Sequence, residues 1–161
     1  MKTVYLSLGS NLGDREAHLL EAVRRLELEG VHVLRCSCIY ETEPQDVRDQ
    51  PWFLNLVAEA QTALFPRQLL QRALKIEREM GRKRVLSKGP RLIDIDLLLY
   101  GTAVIETPEL TIPHPGLPAR RFVLEPLAGL APTLRHPVTR RSVTVMLSEV
   151  RDQALRKWTP P

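Results

Sequence analysis

The sequence contains little cysteine, the residue whose disulfide bonds stabilise small secreted proteins. Its 161 residues include two cysteines, Cys36 and Cys38. They stand one residue apart on a predicted strand, where same-face neighbours do not have disulfide geometry, and an isolated Cys-x-Cys pair is a weak zinc signal. We therefore interpret both as reduced packing residues, and we expect the chain to fold on its own hydrophobic core, for which its length is sufficient.

Long apolar segments are also absent. No run approaches the roughly 20 residues that cross a bilayer, and the chain starts in an alternating strand rather than in a signal-peptide core. Hydrophobic residues make up 43% of the chain and charged residues 26%, which is the balance of an ordinary globular domain. We expect a soluble cytoplasmic protein without a membrane partner, in which residues 1–161 form one domain.

Aromatic residues and the common nucleotide motifs are scarce or missing. Aromatic residues amount to 5% of the chain, and no segment matches the aromatic-rich motif of RNA-recognition modules. Neither G-x-x-x-x-G-K-[ST] nor G-x-G-x-x-G occurs. The formal net charge of +4 favours an anionic partner, but charge alone does not separate a nucleotide from a nucleic acid.

Hydrophobic spacing predicts an α+β chain. Strands are predicted at residues 3–8, 31–40, 52–64 and from Ile93 onward, the last with a hairpin partner at Ala103–Glu106, and helices at Arg15–Glu29, Pro66–Met80, Ala119–Leu130 and Val143–Val150. The acidic, proline-containing segment Glu41–Pro51 is expected to be an exposed loop. The order strand-helix-strand-strand-helix-strand indicates a ferredoxin-like core with an extra C-terminal strand and helices. Two helices would cover one face of an antiparallel sheet and leave the other face for a site.

Two carboxylates interrupt the apolar run of the strand that follows Ile93. Strict alternation puts Asp94 and Asp96 on one face. It puts four apolar residues on the other face: Ile93, Ile95, Leu97 and Leu99. At about 3.3 Å rise per residue the two carboxylates lie roughly 6.6 Å apart, so their oxygens can converge on one ion or a close pair of ions. This pattern indicates a Mg²⁺ site completed by substrate phosphates, although a solvated edge strand shows the same alternation.

A basic segment leads directly into this strand. Glycine and proline break the preceding helical pattern there, and five of its ten residues are cations: Arg82, Lys83, Arg84, Lys88 and Arg91. Arginine presents forked donors to phosphate oxygens and stabilises charge during phosphoryl transfer. Cations beside paired carboxylates therefore suggest a polyphosphate, while a solvated loop or a nucleic-acid patch remains an alternative.

Six segments together resemble the 6-hydroxymethyl-7,8-dihydropterin pyrophosphokinases of folate biosynthesis. They are Leu8–Asp14, Tyr40–Pro44, Phe53–Asn55, Ile76–Glu77 with Gly81–Arg82, Gly89–Asp96 and Leu110–Pro115. The resemblance covers nearly the whole chain. It implies an ATP-dependent transferase that moves pyrophosphate from ATP to the pterin hydroxymethyl group and releases AMP. Two Mg²⁺ ions would be the cofactors, with ATP and the pterin as partners and no nucleic acid.

The resemblance also implies roles for individual residues. Asp94 and Asp96 would hold the metal ions, and Arg82 and Arg91 would steady the transferring group. The implied ATP contacts are Glu77, Arg84, Lys88, Arg91, Leu97, Thr111, His114 and Arg120. The implied pterin contacts are Thr42, Phe53, Asn55, Asp94 and Phe122, of which the phenylalanines would stack on the ring and the Asn55 amide would read its edge.

Two other classes of function remain open at this point. A metal-dependent phosphohydrolase would use Asp94 and Asp96 with water as the nucleophile. A ferredoxin-like RNA-binding module would use the basic segment for phosphates, although the low aromatic content disfavours it. AMP release that requires a pterin would distinguish the pyrophosphokinase from the phosphohydrolase.

Overall fold

The computed structural model describes residues 1–44, 49–81 and 92–160. Four expected site residues, Arg82, Arg84, Lys88 and Arg91, lie outside the described residues. Among the helices within the described residues, none combines the length and the apolar composition needed to cross a bilayer.

The described residues form eight strands and four α-helices. In chain order the elements are β1 (Lys2–Ser10), α1 (Arg15–Leu28), β2 (Val31–Cys36), β3 (Tyr40–Thr42), β4 (Phe53–Thr62), α2 (Pro66–Glu79), β5 (Asp94–Tyr100), β6 (Ile105–Glu106), β7 (Thr111–Ile112), α3 (Arg121–Leu130), α4 (Val143–Ser148) and β8 (Leu155–Lys157). A short 3-10 turn, Leu117–Ala119, precedes α3. The four predicted helices and the strands β1, β4 and β5 are thus present, with end points shifted by a few residues.

Six of the strands form one antiparallel sheet. Its order is β5-β1-β4-β3-β8, and β2 pairs with β4 as well. The fold is therefore a mixed α/β fold, with an antiparallel sheet and four α-helices among the described residues.

Helices α1 and α2 cover one face of the sheet. Asp14 caps α1 by accepting a hydrogen bond from the backbone N–H of Ala17 (3.2 Å), and α2 begins at Pro66, whose fixed φ suits the first turn. Their apolar residues pack on alternate residues of the strands to form the first core, which includes Leu6, Leu8, Leu19, Leu26, Leu56, Leu69, Ile76 and Ile95. This half of the fold agrees with the predicted helical and strand periodicities.

Helices α3 and α4 cover part of the opposite face. A second core joins Tyr5, Val57 and Leu99 of the sheet to apolar residues of these helices, such as Leu124 and Met146. The face that was predicted to be left for a site is therefore only partly available. The face is open for a site only beyond this second core, toward the end of the sheet where Asp94 and Asn55 lie.

The predicted partner of the Asp strand is also wrong. The segment at Ile105–Glu106 pairs with Thr111–Ile112 in a separate two-stranded sheet, whereas β5 pairs with β1. The pairing of β5 with β1 contains a bulge, because Leu6 lies opposite Leu97 while Tyr5 lies opposite Leu99. The extra residue shifts Leu99 into the second core, on the face opposite to the predicted one.

The predicted strand at residues 31–40 is interrupted. β2 ends at Cys36, where the Ser37 hydroxyl accepts a hydrogen bond from the N–H of Val57 (3.0 Å) and donates one to the carbonyl of Cys38 (2.8 Å). The backbone N–H of Ser37 still donates to the carbonyl of Val57 (2.9 Å), so the side chain replaces only the bond that the Val57 N–H would make to the backbone. Cys36 and Cys38 are both free and exposed, so their interpretation as packing residues is wrong.

Candidate active site

The open part of the sheet brings together polar residues from three adjacent strands. In register, Asn55 of β4 lies opposite Gly9 of β1, and Gly9 lies opposite Asp94 of β5. Two residues along each strand, Val57, Ser7 and Asp96 form the next row on the same face. Because adjacent strands are about 4.8 Å apart, an amide and two carboxylates face one shallow area.

Asp94 and Asp96 offer hard oxygen donors at the edge of this area. Both are partly exposed, whereas Ser7 beside Asp96 is 4% exposed. No group of three or more His, Cys, Asp or Glu side chains in the described part of the chain is placed to hold a metal ion. Two carboxylates that need further oxygen ligands fit Mg²⁺, which keeps waters and takes substrate phosphates.

Asn55 is buried and held in one orientation. It is 5% exposed, and its Nδ2 donates a hydrogen bond to the Thr42 hydroxyl at 2.6 Å. Its Oδ1 lies over Gly9, where an added Cβ would come within 2.5 Å of it. The lack of a side chain at Gly9 therefore leaves the space in which the Asn55 oxygen lies, and the hydrogen bond to Thr42 holds the other end of the amide.

The two phenylalanines expected at the site lie on the same side of the sheet. Phe53 begins β4, and its ring lies 3.5 Å from the position of a Cβ at Gly9. Phe122, in the first turn of α3, packs against the second core. The guanidinium of Arg120 lies 5.6 Å from the centre of the Phe122 ring, close enough for a cation–π contact.

His114 is tied to the bulged part of β5. Its backbone N–H donates to the carbonyl of Leu98 (3.0 Å), and its Nδ1 accepts from the N–H of Gly116 (3.0 Å). A neutral ring in this arrangement carries its proton on Nε2. Burial and the nearby Arg120 charge lower the pKa of His114, and Asp94 partly offsets them. The ring is therefore a neutral hydrogen-bond donor at pH 7.

Three residues implied as ATP contacts lie apart from this open surface or at its margin. Glu77 is 3% exposed, and its Oε2 accepts a hydrogen bond from the backbone N–H of Ile95 (2.8 Å), between the two aspartates. Leu97 is 5% exposed in the first core, on the opposite face from Asp96. Thr111 is exposed on β7.

Sequence reasoning overlooked Glu41, which it placed in an exposed loop. Glu41 lies on β3, 7% exposed, and its carboxylate accepts hydrogen bonds from Arg15 (2.8 Å) and Arg156 (2.8 Å). Burial alone would raise the pKa of Glu41, but the hydrogen bonds from the two arginines outweigh it and lower the pKa below its usual value. No local pattern signals a partner 115 residues away. Ser7 was also missed, although the alternation of β1 places it on the face of Tyr5 and Gly9.

Comparisons with known proteins identify the family to which the chain belongs. Residues 5–132 match the family model described as 7,8-dihydro-6-hydroxymethylpterin-pyrophosphokinase (HPPK). The 2-amino-4-hydroxy-6-hydroxymethyldihydropteridine pyrophosphokinase of Aquifex aeolicus is 45% identical over 141 residues, 88% of each chain. The Bacillus subtilis protein of the same name is 41% identical over 155 residues, covering 96% of this chain and 89% of that protein.

Other relatives are much longer than this chain. The folic acid synthesis protein fol1 of Pneumocystis carinii is 42% identical over 159 residues, which cover 99% of this chain and 22% of that protein. A crystal structure of HPPK-DHPS in complex with substrates superposes with a TM-score of 0.74 at 15% identity, covering 92% of this chain and 43% of that one. At that identity the superposition shows the fold alone. The family model and the bacterial relatives show that the chain belongs to the 7,8-dihydro-6-hydroxymethylpterin-pyrophosphokinase family.

Proposed function

We propose that this protein transfers pyrophosphate from ATP to the hydroxymethyl group of 6-hydroxymethyl-7,8-dihydropterin and releases AMP, a step of folate biosynthesis. The observation that carries the proposal is the row of Asn55, Gly9 and Asp94 across three strands. It puts a group that can read a heterocycle beside carboxylates that can hold a metal-bound polyphosphate. The family match and the two bacterial relatives of similar length support the same activity.

The pterin side of the site has a simple physical basis. The Asn55 amide is fixed by Thr42, so its oxygen accepts a hydrogen bond from the pterin without first reorienting. Phe53 and Phe122 supply aromatic surfaces on which a flat ring stacks. A ring that cannot form a hydrogen bond with Asn55 would leave the buried amide unpaired, so the site also discriminates against such rings.

The proposed nucleotide-binding part of the site combines carboxylates with hydrogen-bond donors and positive charges. Asp94 and Asp96 would hold two Mg²⁺ ions, which supply positive charge to the phosphates and acidify the attacking hydroxyl when bound. His114 donates from Nε2, and Arg120 adds a fixed positive charge beside it. Arg91 and Arg82 are assigned to the transferring group by the resemblance alone. Arg84, Lys88, Thr111 and Leu97 remain proposed ATP contacts on the same basis.

A coupled assay for AMP release tests the proposal. With ATP and Mg²⁺ present, AMP should form only when the hydroxymethyl pterin is added, and a chelator should stop the reaction. Nucleotide hydrolysis that is independent of the pterin would instead indicate the phosphohydrolase. A protein that binds RNA and shows no turnover would indicate the RNA-binding module. The comparisons favour neither alternative.

We also propose a ferredoxin-like core and a single domain over residues 1–161. The strand order β5-β1-β4-β2, with α1 and α2 on one face, supports the ferredoxin-like assignment. The single-domain assignment is supported by two cores that share one sheet. A cytoplasmic location is proposed from the sequence composition alone.

A further inference from the structure

The C-terminal strand lies next to the strand that fixes the Asn55 amide. β8 pairs with β3, so that Leu155 lies opposite Thr42 and Arg156 opposite Glu41. On its other edge β3 pairs with β4, where Thr42 lies opposite Phe53. The three-residue strand β3 is therefore held between the tail and the strand that carries Asn55 and Phe53.

A set of side chains reinforces this pairing. We call it the tail clamp, and it consists of Arg15, Glu41, Trp52, Arg156 and Trp158. Arg156 donates from Nε to the Glu41 carboxylate (2.8 Å), and its guanidinium lies 5.3 Å from the centre of the Trp52 ring. Arg15 donates to the Glu41 carboxylate and to the carbonyl of Trp52 (2.9 Å). Trp52 immediately precedes Phe53, so the clamp contacts both strands next to the proposed pterin contacts.

The last aromatic residue in the sequence, Trp158, completes the clamp. The backbone N–H of Trp158 donates to the carbonyl of Ile39 (2.9 Å), and its indole Nε1 donates to the Glu16 carboxylate (3.0 Å). The Arg15 guanidinium lies 5.1 Å from the centre of the Trp158 ring. The tail thus joins the start of α1 to β3, and it fixes both ends of the segment that contains Thr42.

We propose that the tail, through Arg156 and Glu41, positions Thr42 and thereby the Asn55 amide for the pterin. This inference rests on the proposed function. Arg156 does not face the open surface itself. It holds Glu41, Glu41 is next to Thr42 in β3, and the Thr42 hydroxyl accepts the hydrogen bond that Asn55 donates. Because β3 is only three residues long, it has few backbone hydrogen bonds of its own. The Arg156–Glu41 ion pair and the pairing with β8 therefore determine how firmly the Thr42 hydroxyl is placed.

The inference predicts a selective loss of pterin affinity when Arg156 is changed. Arg156→Met keeps an unbranched side chain of similar length and removes the guanidinium. We expect the pterin dissociation constant, measured by calorimetry with Mg²⁺ and a non-hydrolysable ATP analogue present, to rise roughly 2- to 30-fold. The dissociation constant of the ATP analogue should change by less than about twofold, because its proposed contacts, which run from Glu77 to Arg120, do not include any residue of β3, the strand with which β8 pairs.

Lys157→Met is the matched control. It makes the same substitution at the next position of the same strand, where the side chain is exposed, and it should leave both dissociation constants unchanged. A double-mutant cycle with Glu41→Gln adds a second measure, since the effects of the two changes on pterin affinity should be strongly non-additive if they act through one contact.

Three results would overturn the inference while leaving the proposed function intact. These are wild-type pterin affinity in Arg156→Met, an equal loss of affinity for both ligands, or strictly additive effects in the cycle. If Arg156→Met does not fold, Arg156→Lys replaces it. Lysine keeps the charge but lacks the Nε–H that donates to Glu41, so pterin affinity should again fall while affinity for the ATP analogue is unchanged. A wild-type protein that neither binds the pterin nor releases AMP would refute the proposed function instead.

Discussion

The substitution Gly9→Ala tests the geometry of the proposed pterin site with a single methyl group. The added Cβ would lie 2.5 Å from Oδ1 of Asn55 and 3.5 Å from Cδ2 of Phe53. The contact with Phe53 is ordinary, but the contact with Asn55 is far inside van der Waals distance. The Asn55 amide must therefore move, while the backbone at position 9 need not.

The magnitude follows from what holds Asn55 in place. The amide is buried and donates to Thr42 at 2.6 Å, so displacing its oxygen disturbs a hydrogen bond worth about 0.5 to 1.5 kcal/mol. Overpacking in a tight site typically costs about 1 to 3 kcal/mol of stability in total. An amide turned away from the pterin leaves buried polar groups unpaired, which costs about 1 to 3 kcal/mol of binding. The pterin dissociation constant should therefore rise roughly 5- to 150-fold.

Calorimetry with the pterin and with an ATP analogue measures this effect, and thermal unfolding measures the effect on stability. Gly129→Ala is the control, because nothing lies within 4 Å of its new Cβ. Since Gly129 is inside α3, alanine there should raise stability by about 0.5 to 1 kcal/mol and leave binding unchanged. Unchanged pterin affinity in folded Gly9→Ala would refute the role assigned to Asn55.

Three further predictions concern carboxylates. Asp96→Ala should still fold, because Asp96 is partly exposed on the face of the sheet, but Mg²⁺-dependent AMP release should be lost; near-normal release would exclude Asp96 from the metal site. Glu77→Ala should lower the melting temperature and weaken binding of the Mg²⁺–nucleotide, because the Ile95 N–H loses its acceptor, a loss of about 1 to 3 kcal/mol; Glu77→Gln keeps an acceptor and should lose less, and equal losses would contradict this explanation. The pKa of Glu41 is lowered in the folded state, so its ion pairs stabilise the protein above its unfolded pKa near about 4.3 and this stabilisation disappears as the pH falls through the lower folded pKa. Urea unfolding of Glu41→Gln should therefore show a deficit at pH 7 that shrinks below about pH 4, and a deficit independent of pH would refute the assignment.

Local periodicity was sufficient to predict the first core and the placement of the two aspartates. Alternation along β1, β4 and the start of β5 persists over long strands, and side chains on one face of a strand share an environment regardless of the partner strand. Asp94 and Asp96 accordingly lie on one face, as predicted. Which residues of the neighbouring strands lie beside them depends on register, and a sequence pattern alone does not specify the register between strands far apart in the chain.

The bulge in β5 shows where this reasoning fails. An apolar run such as Leu97–Tyr100 satisfies either face, so the sequence carries no polar marker for the position at which alternation shifts. The shift has two consequences, because it turns Leu99 toward the second core and leaves the carbonyl of Leu98 to accept the backbone N–H of His114. The bulge in β5, which makes the predicted face of Leu99 wrong, therefore also fixes His114 beside the carboxylates.

The error at Glu41 has a different origin, and it bears on how the site is built. Local composition around Glu41 is acidic and interrupted by proline, which is typical of an exposed loop. Its burial depends on two cations, one at the start of α1 and the other near the C terminus, that compensate the charge in the folded protein. A buried carboxylate with one partner removed is costly to the folded state, so the stability of β3 in its folded position depends on residues distant in sequence. The surface that orients Asn55 is accordingly assembled from both ends of the chain, and a change near the C terminus should be felt at Thr42.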